Sequence, residues 1–337
     1  MTPGLKNICI YGAGALGGTL AARLAEGLGE QVCVSVIARG AHLEKIRENG
    51  LQLHVAGEDK PSVVAVTATD NPADLPKQDL IITGMKGHQL PAAAEGIATL
   101  LSTHSRVVMV LNGIPWWYFH GDEKSERADH RLPELDPGNR LWDAVGPERV
   151  IGCVAYQGAE VVEPSVIRLP VRGRFILGEP SGDISADLTA ISDLLTRAGV
   201  NIIQTADIRG EIWSKLMGNA SFNPISALTR ALSDRIVAEP ALLGLMSRVM
   251  TEVHGIATAL GHPPAQTVAE RLKEAMTIGP HPTSMLQDLL ARKPLEYVPL
   301  VDTVVRLAHM TGTPVPALET ILALIGELDR QNRADAG

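Results

Sequence analysis

Short apolar runs alternate with stretches of helical spacing over roughly the first 200 residues of the chain. Apolar runs rich in β-branched residues are typical of buried strands, whereas apolar positions three and four residues apart are typical of helices. The alternation predicts a parallel, doubly wound sheet. The predicted strands are 8–11, 31–38, 63–66, 80–83 and 107–111, and the predicted helices are 15–28, 41–49 and 88–101.

The pattern changes after residue 150. Three short strands separated by Gly and Pro turns predict an antiparallel extension of the same sheet, at 151–156, 166–169 and 175–177. A helix at 184–198 and a strand at 200–204 complete this part of the chain. From Asp207 onward only helical spacing is found, in segments 209–231, 239–260, 265–277, 284–292, 296–311 and 315–329. The second part of the chain is therefore predicted to be helical.

The first predicted strand runs directly into a glycine-rich turn, GAGALG. In GxGxxG, the first glycine makes a tight turn, the second lets a pyrophosphate approach the backbone, and the third lets the helix pack against the strand. The N-terminus of the following helix would face the anion. A tight turn without a ligand is the alternative for the motif taken alone. With its strand and helix, the motif predicts a dinucleotide site at Gly12, Ala13, Gly14, Ala15, Leu16 and Gly17.

The end of the second strand bears on the choice of coenzyme. In the NAD version of this fold, an Asp or Glu at this place bonds the ribose. Here the place is held by Arg39, followed by Gly40. A guanidinium matches the oxygens of a 2′-phosphate, so the sequence favours NADPH. A solvated surface arginine is the alternative.

These patterns together predict two domains. We expect an α/β Rossmann-type dinucleotide-binding domain with an antiparallel extension at 1–206. An all-α C-terminal domain at 207–337 would bind the substrate and supply the interface of a homodimer.

Composition and charge argue against several other classes of protein. The formal net charge is −8 and no run of Lys or Arg forms a basic patch, which argues against a nucleic-acid partner. No apolar run is long enough to span a bilayer, and glycines and Arg23 interrupt the apolar stretch that could suggest a signal peptide. Cys9, Cys33 and Cys153 lie in apolar stretches without a CxxC motif, which predicts inert buried thiols in a reducing compartment. The sequence contains no HExxH motif of the kind that indicates a zinc site. We expect a cytoplasmic protein with no bound metal and no membrane partner.

A polar stripe lies in the segment IWSKLMGNASFNP, residues 212–224. Lys215, Asn219 and Asn223 recur at every fourth position, so they share one face of a helix. Asparagine is a poor helix former, and two asparagines in register with a lysine among apolar neighbours indicate a polar pocket. A solvated helix face is the alternative.

A second polar segment is TSMLQDLLARKPLEY, residues 283–297. Ser284 followed by Gln287 predicts a capping box with Ser284 as the N-cap. Glu296 follows Pro294 at the predicted start of the next helix, where a carboxylate suits the helix dipole. For both residues, capping is the alternative to ligand binding.

The motifs resemble those of the ketopantoate reductase (2-dehydropantoate 2-reductase) family, along nearly the whole chain and in the same order. The matching pieces are GAGALG, Lys86 in MKGHQ, Asn112 in VLNG, WSKLMGNASFNP, and TSMLQD with Glu296 beyond it. The resemblance implies NADPH-dependent reduction of a 2-oxo acid to a 2-hydroxy acid, with 2-dehydropantoate as the first candidate.

The resemblance also implies roles for individual residues. It makes Lys215 the general acid and gives Glu296 a bond to the substrate or to the lysine. The substrate-binding residues would be Asn112, Asn219, Asn223 and Ser284. Lys86 and Asn112 would lie beside the nicotinamide. A lysine donates a proton best when burial or a nearby cation lowers its pKa, and Lys86 is a candidate for that cation.

The chain departs from the family pattern after Asn112, where IPWWYFHG is followed by a polar stretch, 122–140. We expect Trp116–Phe119 to pack against the helical domain or another subunit, and 122–140 to be an exposed loop. A pocket wall that admits a bulkier 2-oxo acid is the alternative. Two other functions stay open: an NADP-linked hydroxyacid dehydrogenase of the wider 6-phosphogluconate dehydrogenase-like group, and a non-catalytic NADPH-binding sensor.

Overall fold

The apolar runs of the first part of the chain form β-strands, most of which belong to an eight-stranded sheet. The computed structural model describes residues 4–122, 125–277 and 279–334. In chain order, the elements up to residue 204 are β1 (Asn7–Tyr11), α1 (Ala15–Leu28), β2 (Cys33–Ile37), α2 (Gly40–Asn49), β3 (Leu51–Val55), β4 (Ser62–Val64), β5 (Thr67–Thr69), β6 (Gln78–Thr83), α3 (Leu90–Leu100), β7 (Leu101–Val110), α4 (Arg140–Ala144), β8 (Val150–Tyr156), β9 (Glu160–Glu163), β10 (Val166–Leu169), β11 (Arg174–Gly178), α5 (Ala186–Arg197) and β12 (Ile202–Gln204).

The strand order of the main sheet is β12-β11-β8-β7-β6-β1-β2-β5. The pairs from β5 through β8 are parallel, and β8 pairs with β11 in the antiparallel sense. The predicted α/β fold with an antiparallel extension is confirmed. Ile8 and Ile10 of the central strand β1 are fully buried. Because each buried side chain of this size contributes about 1.5–3 kcal/mol, the central strands anchor the core.

Two predicted strands lie outside the main sheet. The segments predicted at 63–66 and 166–169 form β4 and β10, which belong to a second sheet with the order β4-β3-β10-β9. The missing partner is β3, which pairs with β4 on one side and β10 on the other. Its sequence, LQLHV, alternates between buried and exposed positions, so one face packs on the core. The strand β3 was not among the predicted strands. The prediction that 63–66 and 166–169 join the main sheet was therefore wrong.

The cysteines follow the prediction at two of three positions. Cys9 and Cys153 are buried, whereas Cys33 is exposed. Cys33 lies between the buried Val32 and Val34, and its side chain points to the opposite face because successive residues of a strand alternate. Burial raises the pKa of the Cys9 thiol to about 12, and a hydrogen bond with Ser35 opposes this shift in part. The Cys9 thiol therefore stays protonated at neutral pH.

The rest of the chain is helical. Its helices are α6 (Ile208–Thr229), α7 (Ser233–Ala238), α8 (Pro240–Ala259), α9 (Val268–Ala275), α10 (Ser284–Leu290), α11 (Thr303–Thr311) and α12 (Pro316–Ala334). A π-helical turn, Val298–Asp302, leads into α11. Helix α7 was not among the predicted segments. Within the described ranges, no helix is long and apolar enough to cross a membrane.

The chain divides into two compact units. Unit 1 consists of Met1–Leu111, Phe119–Asp122 and Ala128–Ile208, and unit 2 of Asn112–Tyr118, Glu123–Arg127 and Arg209–Gly337. Residues 112–118, which follow β7, therefore belong with the helices. The proposed domain boundary at 206–207 stays a prediction.

The polar stretch 122–140, predicted to be an exposed loop, contains buried residues that anchor it. Glu123 and Lys124 lie outside the described residues. Leu132 is buried, and Asp136 is 4% exposed. The Asp136 carboxylate accepts hydrogen bonds from the backbone N–H groups of Leu141 at 2.9 Å and Trp142 at 3.0 Å. These donors lie in the first turn of α4, where N–H groups need an acceptor outside the helix.

We predict that Asp136→Ala destabilises unit 1. The change removes a buried carboxylate that accepts two hydrogen bonds, and the expected loss in the free energy of unfolding is about 1–3 kcal/mol. Urea unfolding followed by circular dichroism measures the loss. The matched control is Asp143→Ala in α4, because the Asp143 side chain is 62% exposed and pairs with Arg131 at the surface. An equal effect of the two substitutions contradicts the anchoring role of Asp136.

Candidate active site

The glycine-rich turn joins β1 to α1 with a backbone that excludes side chains at two positions. Gly12 has a φ of 100°, which L side chains rarely adopt. A Cβ on Gly17 would overlap the carbonyl oxygen of Gly12. The N–H groups of Gly12 and Ala13 both donate to the carbonyl oxygen of Ile37, at 3.1 and 3.3 Å. The turn is therefore held against the end of β2.

Gly84 is a part of this site that the sequence analysis missed. It directly follows β6, and its N–H donates to the carbonyl oxygen of Tyr11 at 2.9 Å. A Cβ on Gly84 would overlap the Gly12 carbonyl oxygen and would lie 2.7 Å from the Gly17 Cα. The signal in the sequence is a glycine immediately after a buried strand, in the segment TGMK.

The N-terminus of α1 has the properties of an anion site. Its N-cap is Gly14, and among the described residues no side chain caps this helix and its first turn holds no acidic residue. The first N–H groups of a helix have no partner within the helix, and the helix dipole favours a negative charge there. The close backbone packing and these donors fit the pyrophosphate of a dinucleotide.

Arg39 and Lys86 lie at the ends of the strands beside β1. Arg39 directly precedes α2, and its side chain is exposed. Burial raises the pKa of Tyr11, and the charge of Arg39 opposes this rise in part. Lys86 follows Gly84 by two residues, and its backbone N–H donates to Oε1 of Gln89 at 3.2 Å. Because β6, β1 and β2 are parallel neighbours, the predicted coenzyme residues of unit 1 lie together at the carboxyl ends of these strands.

Lys215 and Asn112 meet in unit 2, although 103 residues separate them in the sequence. The Lys215 ammonium donates to Oδ1 of Asn112 at 2.6 Å. Asn219 and Asn223 follow Lys215 on the same face of α6, and Asn223 is 6% exposed. Trp213 beside the stripe is fully buried. A buried asparagine does not fit the alternative of a solvated helix face.

The loop that carries Asn112 is fixed by the π-helical turn. Gly113 has a φ of 76°, and a Cβ there would overlap the carbonyl oxygen of Pro299. The N–H of Ile114 donates to the same oxygen at 3.0 Å. Because Pro299 follows Glu296 by three residues, this contact brings the segments of Asn112 and Glu296 side by side. Such π-helical turns occur frequently at functional sites.

Glu296 is buried and directly precedes the helix that begins at Tyr297, within one residue of the predicted helix start at 296. Its segment is held by α12. The carboxylate of Asp329 accepts the N–H of Leu295 at 2.7 Å, and the amide of Asn332 donates to the carbonyl oxygen of Lys293 at 2.8 Å. Asp329 and Asn332 are themselves buried. These bonds fix the backbone from which the Glu296 carboxylate projects.

The prediction of Ser284 as an N-cap is wrong by one residue. The N-cap of α10 is Thr283, whose hydroxyl accepts the N–H of Leu286 at 3.3 Å. Ser284 is the first residue inside the helix and is exposed. The Gln287 amide donates to Pro282 instead of completing a capping box. Both Thr and Ser can cap a helix, so the sequence TS leaves the choice to backbone geometry.

The aromatic segment Trp116–Phe119 is buried at all four positions. In unit 2, Nε1 of Trp213 donates to the hydroxyl of Tyr118 at 2.7 Å, and the two rings meet edge to face. Nε of Arg209 donates to the carbonyl oxygen of Tyr118 at 2.7 Å. These bonds tie the segment to the start of α6, the helix of Lys215, which favours packing over a pocket wall.

A parallel arrangement of central strands with a glycine-rich turn at their carboxyl ends is typical of dinucleotide-binding folds. Residues 8–182 match the family model described as ketopantoate reductase PanE/ApbA, and residues 207–329 match the model of the C-terminal domain of the same family. The chain belongs to the ketopantoate reductase family. The family and a curated relative are named as reductases, which supports an oxidoreductase over a non-catalytic sensor.

Relatives cover nearly the full length of the chain. A 2-dehydropantoate 2-reductase from Mesorhizobium japonicum is 43% identical over 322 residues, 96% of this chain and 97% of the relative. A Ralstonia solanacearum MolK2 crystal structure described as a ketopantoate reductase is 37% identical, with a TM-score of 0.91 and coverage of 97% and 98%. A D-mandelate dehydrogenase solved with NADH and anilino(oxo)acetate is 20% identical, with a TM-score of 0.82 and coverage of 97% and 99%, and shares the fold.

Within the described ranges, no group of three His, Cys, Asp or Glu residues could hold a metal ion. The candidate chemical groups are the lysine, amide, hydroxyl and carboxylate side chains of unit 2 and the backbone of the glycine-rich turn of unit 1.

We predict that Gly84→Ala weakens the binding of NADPH and NADH alike by about tenfold or more. The added methyl group would overlap backbone atoms, and overpacking of this kind costs about 1–3 kcal/mol. Isothermal titration calorimetry with each coenzyme measures the loss. The matched control is Gly158→Ala, because a Cβ there meets no atom within 4 Å and φ is not in the left-handed region. Unchanged affinity of Gly84→Ala contradicts the close approach of β6 to the turn.

Proposed function

We propose that this protein reduces 2-dehydropantoate, a 2-oxo acid, to the corresponding 2-hydroxy acid with NADPH as the coenzyme. The observation that carries the proposal is the hydrogen bond from Lys215 to Asn112. Lys215 shares its face of α6 with Asn219 and Asn223. The 43% identical relative named 2-dehydropantoate 2-reductase supports the choice of substrate.

Lys215 would act as the general acid. The chemistry that NADPH would supply when bound is a hydride for the carbonyl carbon of the substrate. The carbonyl oxygen then gains negative charge and needs a proton. The Lys215 ammonium has three N–H donors, and one of them is engaged by Asn112. The Asn112 bond thereby orients the ammonium, which would stabilise the forming alkoxide and deliver a proton from Nζ.

The other polar groups of unit 2 would hold the substrate. The Asn219 and Asn223 amides can donate to the carboxylate, and their position on α6 places them in line with Lys215. The exposed hydroxyl of Ser284 adds a further donor. Glu296 would accept a hydrogen bond from the substrate hydroxyl or from Lys215.

NADPH is proposed over NADH because of Arg39. This residue holds the place of the ribose-binding acid, and α2 begins directly after it. No side chain among the described residues caps α2, and its first turn holds no acidic residue, so its N-terminus suits a phosphate. Lys86 is proposed to contact the nicotinamide end. A homodimer and a cytoplasmic location stay predictions.

We predict that Lys215→Ala lowers kcat for 2-dehydropantoate by about 10²- to 10⁴-fold, the usual range for loss of a general acid. Lys215→Arg should not restore turnover, because a guanidinium does not release its proton near neutral pH. The affinity for NADPH should stay within about twofold of wild type, since the residues proposed for its phosphates lie on unit 1. Steady-state kinetics and direct NADPH titration measure both quantities.

The matched control is Lys273→Ala, because Lys273 is an exposed lysine on α9. A near-normal kcat of Lys215→Ala would mean that the stripe has no part in the chemistry. Aromatic 2-oxo acids belong in the same assay. A wild-type enzyme that reduces them and ignores 2-dehydropantoate would favour the alternative of a hydroxyacid dehydrogenase for bulkier substrates.

We predict that Arg39→Ala lowers the affinity for NADPH by about 10- to 100-fold and leaves that for NADH nearly unchanged. A charge-assisted hydrogen bond contributes about 1.5–3 kcal/mol, and only NADPH carries the 2′-phosphate. Calorimetric titration of both coenzymes measures the difference. Lys45→Ala removes an exposed positive charge from α2, the helix that directly follows Arg39, and serves as the control. Equal losses for both coenzymes would rule out the assignment of Arg39.

A further inference from the structure

His42 links the glycine-rich turn to the second sheet of unit 1. It lies in the first turn of α2. Its Nε2 is 2.7 Å from the carbonyl oxygen of Ala13, in the middle of GAGALG, and its Nδ1 is 3.1 Å from the backbone N of Ser165. The roles discussed above for the turn, Arg39 and α2 do not account for this side chain.

The two contacts fix the tautomer of the imidazole. The N–H of Ser165 can only donate, so Nδ1 of His42 accepts. A neutral imidazole with an accepting Nδ1 carries its proton on Nε2, and Nε2 therefore donates to the Ala13 carbonyl oxygen. Both ring nitrogens are thus used, and the ring has one orientation.

The anchor of His42 is rigid. Ser165 is buried and has a φ of 68°, a left-handed value that costs energy for a residue with a side chain. Its carbonyl oxygen accepts the N–H of Gln52 at 2.9 Å, which ties it to β3. Because the surrounding bonds hold Ser165 in this conformation, they also fix the position of the His42 ring.

The bond to Ala13 determines the direction of the next N–H group. The Ala13 carbonyl and the Gly14 N–H belong to one planar trans peptide and point in opposite directions. When His42 holds the carbonyl oxygen, the Gly14 N–H is directed to the other side of the turn. The N–H groups of Gly12 and Ala13 already donate to Ile37. Gly14 is thus the first residue of the turn whose N–H is aimed away from β2.

We propose that His42 is a positioning residue for coenzyme binding. It orients the Ala13–Gly14 peptide so that the Gly14 N–H donates to the pyrophosphate. The inference rests on the proposed use of a nicotinamide coenzyme. It concerns the pyrophosphate, which NADPH and NADH share, and is therefore separate from the effect of Arg39 on the 2′-phosphate.

The test compares ligands with and without a pyrophosphate. His42→Ala should weaken the binding of NADPH, NADH and ADP-ribose by about 5- to 20-fold, the effect of one misdirected hydrogen bond at an anion. Binding of adenosine 2′-monophosphate, which lacks the pyrophosphate, should stay within about twofold of wild type. Calorimetric titration measures all four ligands. His54→Ala is the control, because His54 is an exposed histidine on β3 of the same unit.

A second pair of variants separates the two bonds of His42. The His42→Gln amide nitrogen can reach the position of Nε2 and donate to Ala13, whereas His42→Asn can only replace the acceptor at Nδ1. We expect His42→Gln to bind the dinucleotides more tightly than His42→Asn, with similar melting temperatures. Equal affinities of the two variants, or a parallel loss of adenosine 2′-monophosphate, would overturn the proposal.

These measurements use binding and not turnover. A wild-type protein that binds NADPH with the expected dependence on His42 but reduces no 2-oxo acid would overturn the proposed function and leave the inference standing. A wild-type protein that binds none of the dinucleotides would overturn both. Normal reduction of 2-dehydropantoate together with unchanged dinucleotide affinity in His42→Ala would overturn the inference alone.

Discussion

The close approach of backbone at Gly12, Gly17 and Gly84 is the constraint on which unit 1 depends. A Cβ on Gly17 or Gly84 would overlap the Gly12 carbonyl oxygen, so the ends of β1 and β6 and the start of α1 can meet only without side chains. The apolar core below supplies the stability that this meeting requires, because the central strands are buried on both faces. The same contact fixes where the first N–H groups of α1 lie, and therefore where an anion can bind.

Unit 2 achieves comparable order with hydrogen bonds from distant segments. The loop of Asn112 is held by the Pro299 carbonyl, and the segment of Glu296 is held by Asp329. Each of these bonds satisfies a backbone N–H group and fixes the chain next to a candidate active-site residue. The result is that the position of Lys215 against Asn112 depends on several parts of the sequence at once. A change in any of them should alter the site before it alters the fold.

The sequence predicted local features well and distant pairings poorly. The bounds of α1 were predicted to the residue, because a glycine-rich turn marks its start and the apolar spacing marks its length. The strand β3 was missed and its partners were misplaced, because strand pairing between β3 and β10 spans more than a hundred residues. The lysine–asparagine stripe follows from helical spacing alone. The partners that orient it, such as Pro299, leave no local signal, because they act through tertiary hydrogen bonds.

On the proposed assignment, recognition of the coenzyme would be divided between backbone and side chain. The pyrophosphate would be bound by N–H groups whose direction is set by His42 and by packing at the glycines, and these groups do not distinguish NADPH from NADH. The 2′-phosphate would be bound by the exposed side chain of Arg39, at the end of a different strand. A substitution at this position changes no buried contact of the turn. If Arg39 has the proposed role, coenzyme preference would depend on one surface residue, while general affinity for dinucleotides would depend on the packing of the core.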